Sequence, residues 1–217
     1  MYDRPQSKTQ QAYKLGRNLD RFEGYGEEEY SYDAQVTDPK RYGRSINQYF
    51  WQPEPIAEFD HIFMEGTLSF LEGIDYLHTE PSLPIMSRRM LYVLNSVGEF
   101  FHQVISVSIE DNEVPIHNHG TRLRSGKVND TDYVAVQLLE YLEVFDYEKS
   151  VYKPSRYPNS RVVSRLKKMV LKEPESGFPP LFRIPEKPLE LYVSPQAKLL
   201  LEEAGITGVR FVDIAWD

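Results

Sequence analysis

The sequence predicts an α+β fold of mixed β-sheets flanked by helices, with one β-α-β device used twice. Three observations carry this. Two stretches run from a serine to a glycine eleven residues later, Ser87 to Gly98 and Ser194 to Gly205, each with helical apolar spacing between them. Strand-like segments precede and follow both. Finally, the chain has 217 residues, 41% of them apolar and 13% aromatic, enough to bury one sizeable core or two small ones.

Taken in order, residues 1–44 are polar, rich in tyrosine and broken by Gly16, Gly24, Gly26, Pro39 and Gly43. They read as a loop-rich arm with a short helix near Gln10 to Leu19. Gly24-Tyr25-Gly26 precedes three glutamates, so a turn is expected there rather than a phosphate cradle. Residues 45–217 read as the α+β domain, either one unit or two sub-domains, 45–130 and 131–217. In the first β-α-β copy, Leu83 to Ser87 leads into a helix with Met90, Leu91, Leu94 and Val97 on one face, and Val104 to Ile109 follows with period-2 alternation. In the second, Leu191 to Ser194 leads into a helix whose face is Ala197, Leu200, Leu201 and Ala204, and Val209 to Ile214 follows as a strand. Ser194 is placed to cap, Pro195 suits the first helical position, and Gly205 admits a left-handed stop.

Between the copies, Asp111 to Asp130 is polar and reads as a hairpin or exposed loop. Tyr133 to Phe145 is apolar and β-branched enough for one long central strand, although Leu138, Leu139, Leu142 and Phe145 also fit a helical period. Tyr147 to Ser160 reads as turn and loop, Arg161 to Lys172 as a basic strand or helix, and Leu181 to Ile184 as a further strand.

Charge distribution narrows the function. The chain carries a net charge of -8, and residues 45–87 contain no Lys or Arg. That stretch holds Glu54, Glu58, Asp60, Glu65, Glu72, Asp75 and Glu80 among aromatics that include Tyr49, Trp51 and Phe63. Uncompensated carboxylates repel nucleic acid and steer a basic protein. A partner-binding face is therefore expected from Tyr49, Trp51, Glu54, Glu58, Asp60, Glu65, Glu72 and Asp75, with Glu110, Asp111 and Glu113 beside them. The plainer alternative is a solvated acidic face over ordinary core aromatics. With no cysteine, a disulfide framework, a thiolate metal site and a cysteine nucleophile are all excluded. Met1-Tyr2-Asp3-Arg4-Pro5 is not followed by an apolar secretory segment, and no apolar run is long enough to span a bilayer, so a cytoplasmic location without membrane contact is expected.

Leu181-Phe182-Arg183-Ile184, Pro188 to Ser194, Gly205 to Phe211 and the central Tyr141 to Ser150 resemble a family of bacterial polymorphic-toxin immunity proteins, over roughly residues 45–217. The resemblance implies a protein encoded beside a secreted toxin, binding its toxic domain and occluding or distorting the active site. It implies no catalytic residue and no cofactor. An acidic inhibitor in the cytosol fits a basic nuclease or nucleotide-binding toxin.

Rival chemistry has fewer residues behind it. His117 and His119, two apart, would share a face on a strand and could hold a metal with Glu113 or Asp130, as a metal-dependent hydrolase requires. His61, His78 and His102 sit beside apolar neighbours and read as partly buried, hydrogen-bonded histidines. Asp60-His61 is a tempting dyad, but no Gly-x-Ser-x-Gly elbow accompanies it. Arg161, Arg165, Lys167, Lys168 and Lys172, just after Tyr152 and Tyr157, could meet nucleic acid; a solvated face or an internal partner for the acidic front half fits an acidic chain better. A third class, an adaptor that carries a toxin to its secretion machine, would bind the same neighbour without inhibiting it.

Overall fold

The computed structural model describes residues 12–20, 33–42, 45–112, 126–157 and 159–214. In chain order the elements are β1 (Tyr13–Arg17), β2 (Ala34–Val36), α1 (Ile46–Phe50), β3 (His61–Gly66), α2 (Leu68–Leu71), β4 (Thr79–Glu80), β5 (Ile85–Ser87) and α3 (Arg88–Val97). They continue with β6 (His102–Asp111), β7 (Val128–Asn129), β8 (Tyr133–Leu138), β9 (Val151–Pro154), β10 (Val163–Lys168), β11 (Leu181–Phe182), β12 (Leu191–Val193), α4 (Pro195–Glu203) and β13 (Val209–Asp213). Mixed sheets with few helices make this an α+β protein, as the patterning predicts.

The larger sheet has the order β4-β2-β3-β6-β8-β5, with β7 paired to β6 as a hairpin. The smaller has the order β11-β12-β1-β13, and β9 with β10 forms a separate ribbon. The two β-α-β copies share an arrangement that sequence similarity alone does not reveal. β5 and β6 are each antiparallel to β8, so they run parallel with one strand inserted between them. β12 and β13 are each antiparallel to β1, which lies between them in the same way. Both copies are thus split β-α-β units.

Their helices begin alike. Ser87 Oγ accepts from the Met90 N–H at 3.0 Å and Ser194 Oγ from the Ala197 N–H at 3.1 Å, each satisfying one of the donors that a helix start leaves unpaired. They stop differently. Gly205 has φ +63, the left-handed stop expected, whereas Gly98 is extended at φ 165 and needs no glycine-specific conformation. On α3 the buried stripe is Met90, Leu91 and Leu94; on α4 it narrows to Ala197 and Leu201, because Ala204 is the exposed C-cap.

Three apolar layers result. Alternation along β8 sends Val134, Val136 and Leu138 into a layer with α3, α4 and the smaller sheet, and Tyr133 and Ala135 into the opposite layer with α1. Along β12, Leu191 and Val193 face that shared layer while Tyr192 faces a third, built with Phe145, Val163, Met169 and Leu171. A strand buried on both faces needs no polar alternation, which explains the apolar run at β8.

Several expectations need correction. Residues 13–17 are not helical: β1 is the inner strand that joins β12 to β13, with Tyr13 opposite both Val193 and Asp213. Long-range pairing overrides whatever local helix preference Gln10 to Leu19 has. Nor is Tyr133 to Phe145 one strand. β8 ends at Leu138, and the chain crosses to the third layer, where Leu142 N–H donates to the Arg183 carbonyl and Phe145 bridges Leu171. Within Arg161 to Lys172 the strand alternative holds for Val163–Lys168 alone, which is β10, paired to β9 with register shifts. His117, His119 and Glu113 lie outside the described residues.

Candidate protein-binding face

After the five-residue helix α1, Pro53 and Pro55 deny the chain two backbone donors and prevent it from continuing as helix or inner strand. The carbonyls and N–H groups from Tyr49 to Asp60 must find partners elsewhere. Several find side chains. Gln137, fully buried on β8, directs its Nε2 at the carbonyls of Tyr49, Gln52 and Glu54, at 3.0, 3.0 and 2.7 Å, and its Oε1 accepts from the Ile56 N–H at 3.2 Å. Gln103 on β6 brackets the same residue, accepting from Ile56 N–H and donating to Ile56 O, both at 2.9 Å. The Tyr141 hydroxyl donates to Trp51 O and Arg183 Nη1 to Phe50 O. Ile56 is a buried apolar plug, and Asp60 O accepts from Ser106 N–H at 3.1 Å, tying the far end to β6. A segment without repetitive structure is therefore held from beneath along its length.

On this platform Glu54, Glu58 and Asp60 are exposed and Trp51 is half-buried. Neither Glu54 nor Asp60 has an ion-pair partner among the described residues. The outward side of β3 continues the surface with His61, Phe63 and Glu65, in parallel register with Ser106, Ser108 and Glu110 of β6. His61 bonds Ser108 Oγ through Nε2 at 2.8 Å and stacks on Phe63 at 4.4 Å, while the Arg41 guanidinium lies over the Phe63 ring at 4.3 Å. Asp60 is not the partner of His61, so the adjacent pair forms no dyad.

The remaining expected contact residues separate into two groups. Glu65 and Glu110 lie side by side toward the Gly66 end of β3, roughly 13 Å along the strand from His61. Gln35 Nε2 donates to Glu65 at 2.9 Å. Glu72, exposed, ends α2, whose last residue Leu71 is bonded by the Tyr133 hydroxyl at the opposite end of β8 from Gln137. Tyr49, Asp75 and Asp111 require correction, because all three are buried. Tyr49, 7% exposed, donates through its hydroxyl to Tyr42 O at 3.0 Å and supports the platform from below. Asp111 accepts from the Leu68 N–H at 3.2 Å at the start of α2.

Asp75 joins the two split units. It accepts from Ser87 Oγ, from Arg89 and from the Thr207 N–H, the last at 2.9 Å, so one carboxylate links β5, α3 and the turn after α4. Burial alone pushes its pKa up; the hydrogen bonds from Arg89, Ser87 and Thr207, with the Arg89 charge, outweigh that and leave it below the ordinary aspartate value. At the adjoining Gly208, φ is +76 and an added Cβ would meet Tyr76 O at 2.5 Å, so the joint admits only glycine.

Comparison with protein-family models found no match to this chain. None of the curated proteins matched it either.

Of the other clusters, His102 Nδ1 donates to Phe100 O at 2.9 Å and its ring stacks on Phe100. Among the described residues no group of three His, Asp or Glu side chains could hold a metal ion, and no helix is long and apolar enough to cross a membrane. Arg161 of the basic run is engaged internally, with Glu143 and with the buried Glu186 at 2.9 Å. These contacts, led by Glu143, raise its pKa. Two residues that composition does not single out, Gln137 and Arg183, organise the platform. Each is a long polar side chain inside an apolar run, Val136-Gln137-Leu138 and Phe182-Arg183-Ile184, and that interruption is the signal that identifies them.

Proposed function

We propose that this chain is an immunity-type inhibitor: it binds a toxin domain encoded by a neighbouring gene and covers the active site of that domain in the cytosol, without chemistry of its own. The observation that carries this reading is the 49–60 platform, the end of α1 and the irregular segment after it, held by Gln137, Gln103, Tyr141 and Arg183 and bearing Glu54 and Asp60 outward without ion pairs among the described residues. A surface ordered before binding loses little conformational entropy on complex formation, and the saving appears as affinity. Exposed carboxylates on the same segment as the half-buried Trp51 match an interface with an aromatic anchor and a polar rim. The negative surface favours a basic partner, such as a nuclease or a nucleotide-binding toxin. The resemblance of Tyr141 to Ser150 and of residues 181–211 to immunity proteins supports the same assignment.

Co-expression with the C-terminal domain of the neighbouring gene product tests it. The expected result is survival of the host, a stable complex on size exclusion, and loss of the domain's activity in vitro on titration to one equivalent. A complex that leaves the toxic activity intact would identify an adaptor for secretion instead, and no complex at all would remove the inhibitor reading.

A further inference from the structure

Behind the platform, where β1 and the approach to β12 face the Phe50–Trp51 backbone, lies a cleft of about 210 Å3. Its lining is cationic, although the chain as a whole is acidic. Arg183 lines it and is only 3% exposed, yet a guanidinium has five N–H donors and this one has a single acceptor among the described residues, Phe50 O. Its Nε–H is buried with no acceptor among the described residues. Arg17, also in the lining, spends Nε and Nη2 on the carbonyls of Leu77 and Leu83, at 2.9 and 2.7 Å, and has no carboxylate partner among the described residues. Lys14 meets Glu190 at 3.0 Å, the sole carboxylate of the lining. Three cations against one carboxylate leave two positive charges around a small space walled by Trp51 and Tyr76.

A buried guanidinium is ordinarily paired with a carboxylate, since an unpaired buried charge is costly and planar guanidinium forks match planar or tetrahedral oxyanions. We propose that the cleft binds a small dianion, phosphate or a short dicarboxylate, with Arg183 as the central donor and Lys14 and Arg17 completing the charge balance. Burial pushes the Arg183 pKa down to about 10, offset in part by the nearby Tyr141 and Tyr76 hydroxyls, and an anion beside the guanidinium would favour its charged form. The volume lies below that of pockets which enclose drug-sized ligands, roughly 300 Å3 and upward, which suits a few heavy atoms rather than a nucleotide.

The full chain, labelled with 15N and observed at its arginine Nε–H groups, gives the test. Inorganic phosphate, malonate and chloride are titrated separately at matched ionic strength, and thermal midpoints are recorded in parallel. The Arg183 Nε–H resonance is expected to move saturably with phosphate, malonate or both, following the same binding curve as the rise in midpoint, and to be indifferent to chloride. Response to phosphate alone assigns a phosphate site, and response to malonate alone a dicarboxylate site. Arg183→Lys should weaken binding about tenfold or more, equivalent to about 1.4 kcal/mol. Lys14→Gln alters only an edge side chain of the cleft, keeps the fold by circular dichroism, and should weaken binding severalfold. An Arg183 resonance that neither dianion shifts, or dianion binding unaltered in Lys14→Gln, overturns the proposal even if Arg183→Lys does not fold.

Discussion

Gln137→Leu isolates the clamp beneath the platform. Leucine fills nearly the same space on β8, so the change removes hydrogen bonds more than volume. Four contacts disappear, but two of the loop's groups keep another partner. The Ile56 N–H retains Gln103 Oε1 at 2.9 Å, and Tyr49 O retains the Gln52 N–H at 3.4 Å. The carbonyls of Gln52 and Glu54 lose their one donor among the described residues. Two orphaned carbonyls, at about 1 to 1.5 kcal/mol each, give a loss of about 2 to 3 kcal/mol. Urea denaturation should show that loss as a lower midpoint at unchanged slope. Hydrogen exchange should show faster opening confined to residues 51–58, with the β6 and β8 ladders still protected. A change below about 0.5 kcal/mol, with loop exchange unaltered, would refute the idea that Gln137 holds the loop in place.

Two further perturbations bear on the joint between the split units. Asp75 has a folded-state pKa below its unfolded value, so its contribution to stability is fully present above about pH 4 and is lost as pH falls through the folded value. Asp75→Asn should therefore lower stability at neutral pH and flatten the acid limb of a stability profile measured by urea midpoints from pH 7 to 2; an acid limb as steep as in the parent chain would contradict this. Ser194→Ala should cost about 1 kcal/mol as a lost helix cap, and Ser87→Ala clearly more, because Ser87 Oγ also donates to Asp75 at 2.6 Å. Equal losses in denaturant titrations would mean that the Ser87 to Asp75 bond contributes nothing.

Local chemistry decided which parts of the fold could be read in advance. α3 and α4 are legible because a serine cap and an apolar stripe lie within one turn or two of each other in sequence, and β6 because Ile105, Val107 and Ile109 alternate with polar residues. Strand β1 is illegible for the opposite reason: Tyr13 pairs with Val193 and Asp213, at the far end of the chain, and nothing within residues 10–19 records those partners. The insertion of β8 between β5 and β6 is likewise a property of topology. For the candidate face, Glu54, Glu58 and Asp60 stand out by charge and are exposed, but composition cannot separate them from Asp75 and Asp111, whose burial is decided by residues distant in sequence. Nor does an acidic count show that Tyr49 is a support rather than an anchor, since its hydroxyl partner is fixed only when α1 packs beside Tyr42.

The most direct test of the inhibitor assignment is the association rate constant with the neighbouring gene's toxic domain, measured by stopped flow across a series of salt concentrations. For the parent chain, association should be fast at low salt and slow steeply as salt rises, because Glu54, Glu58 and Asp60 steer the encounter. With those three residues changed to lysine, the rate should fall at low salt and its salt dependence should flatten. Identical rates and identical salt dependence for the two chains would contradict the claim that this platform is the surface that meets the toxin.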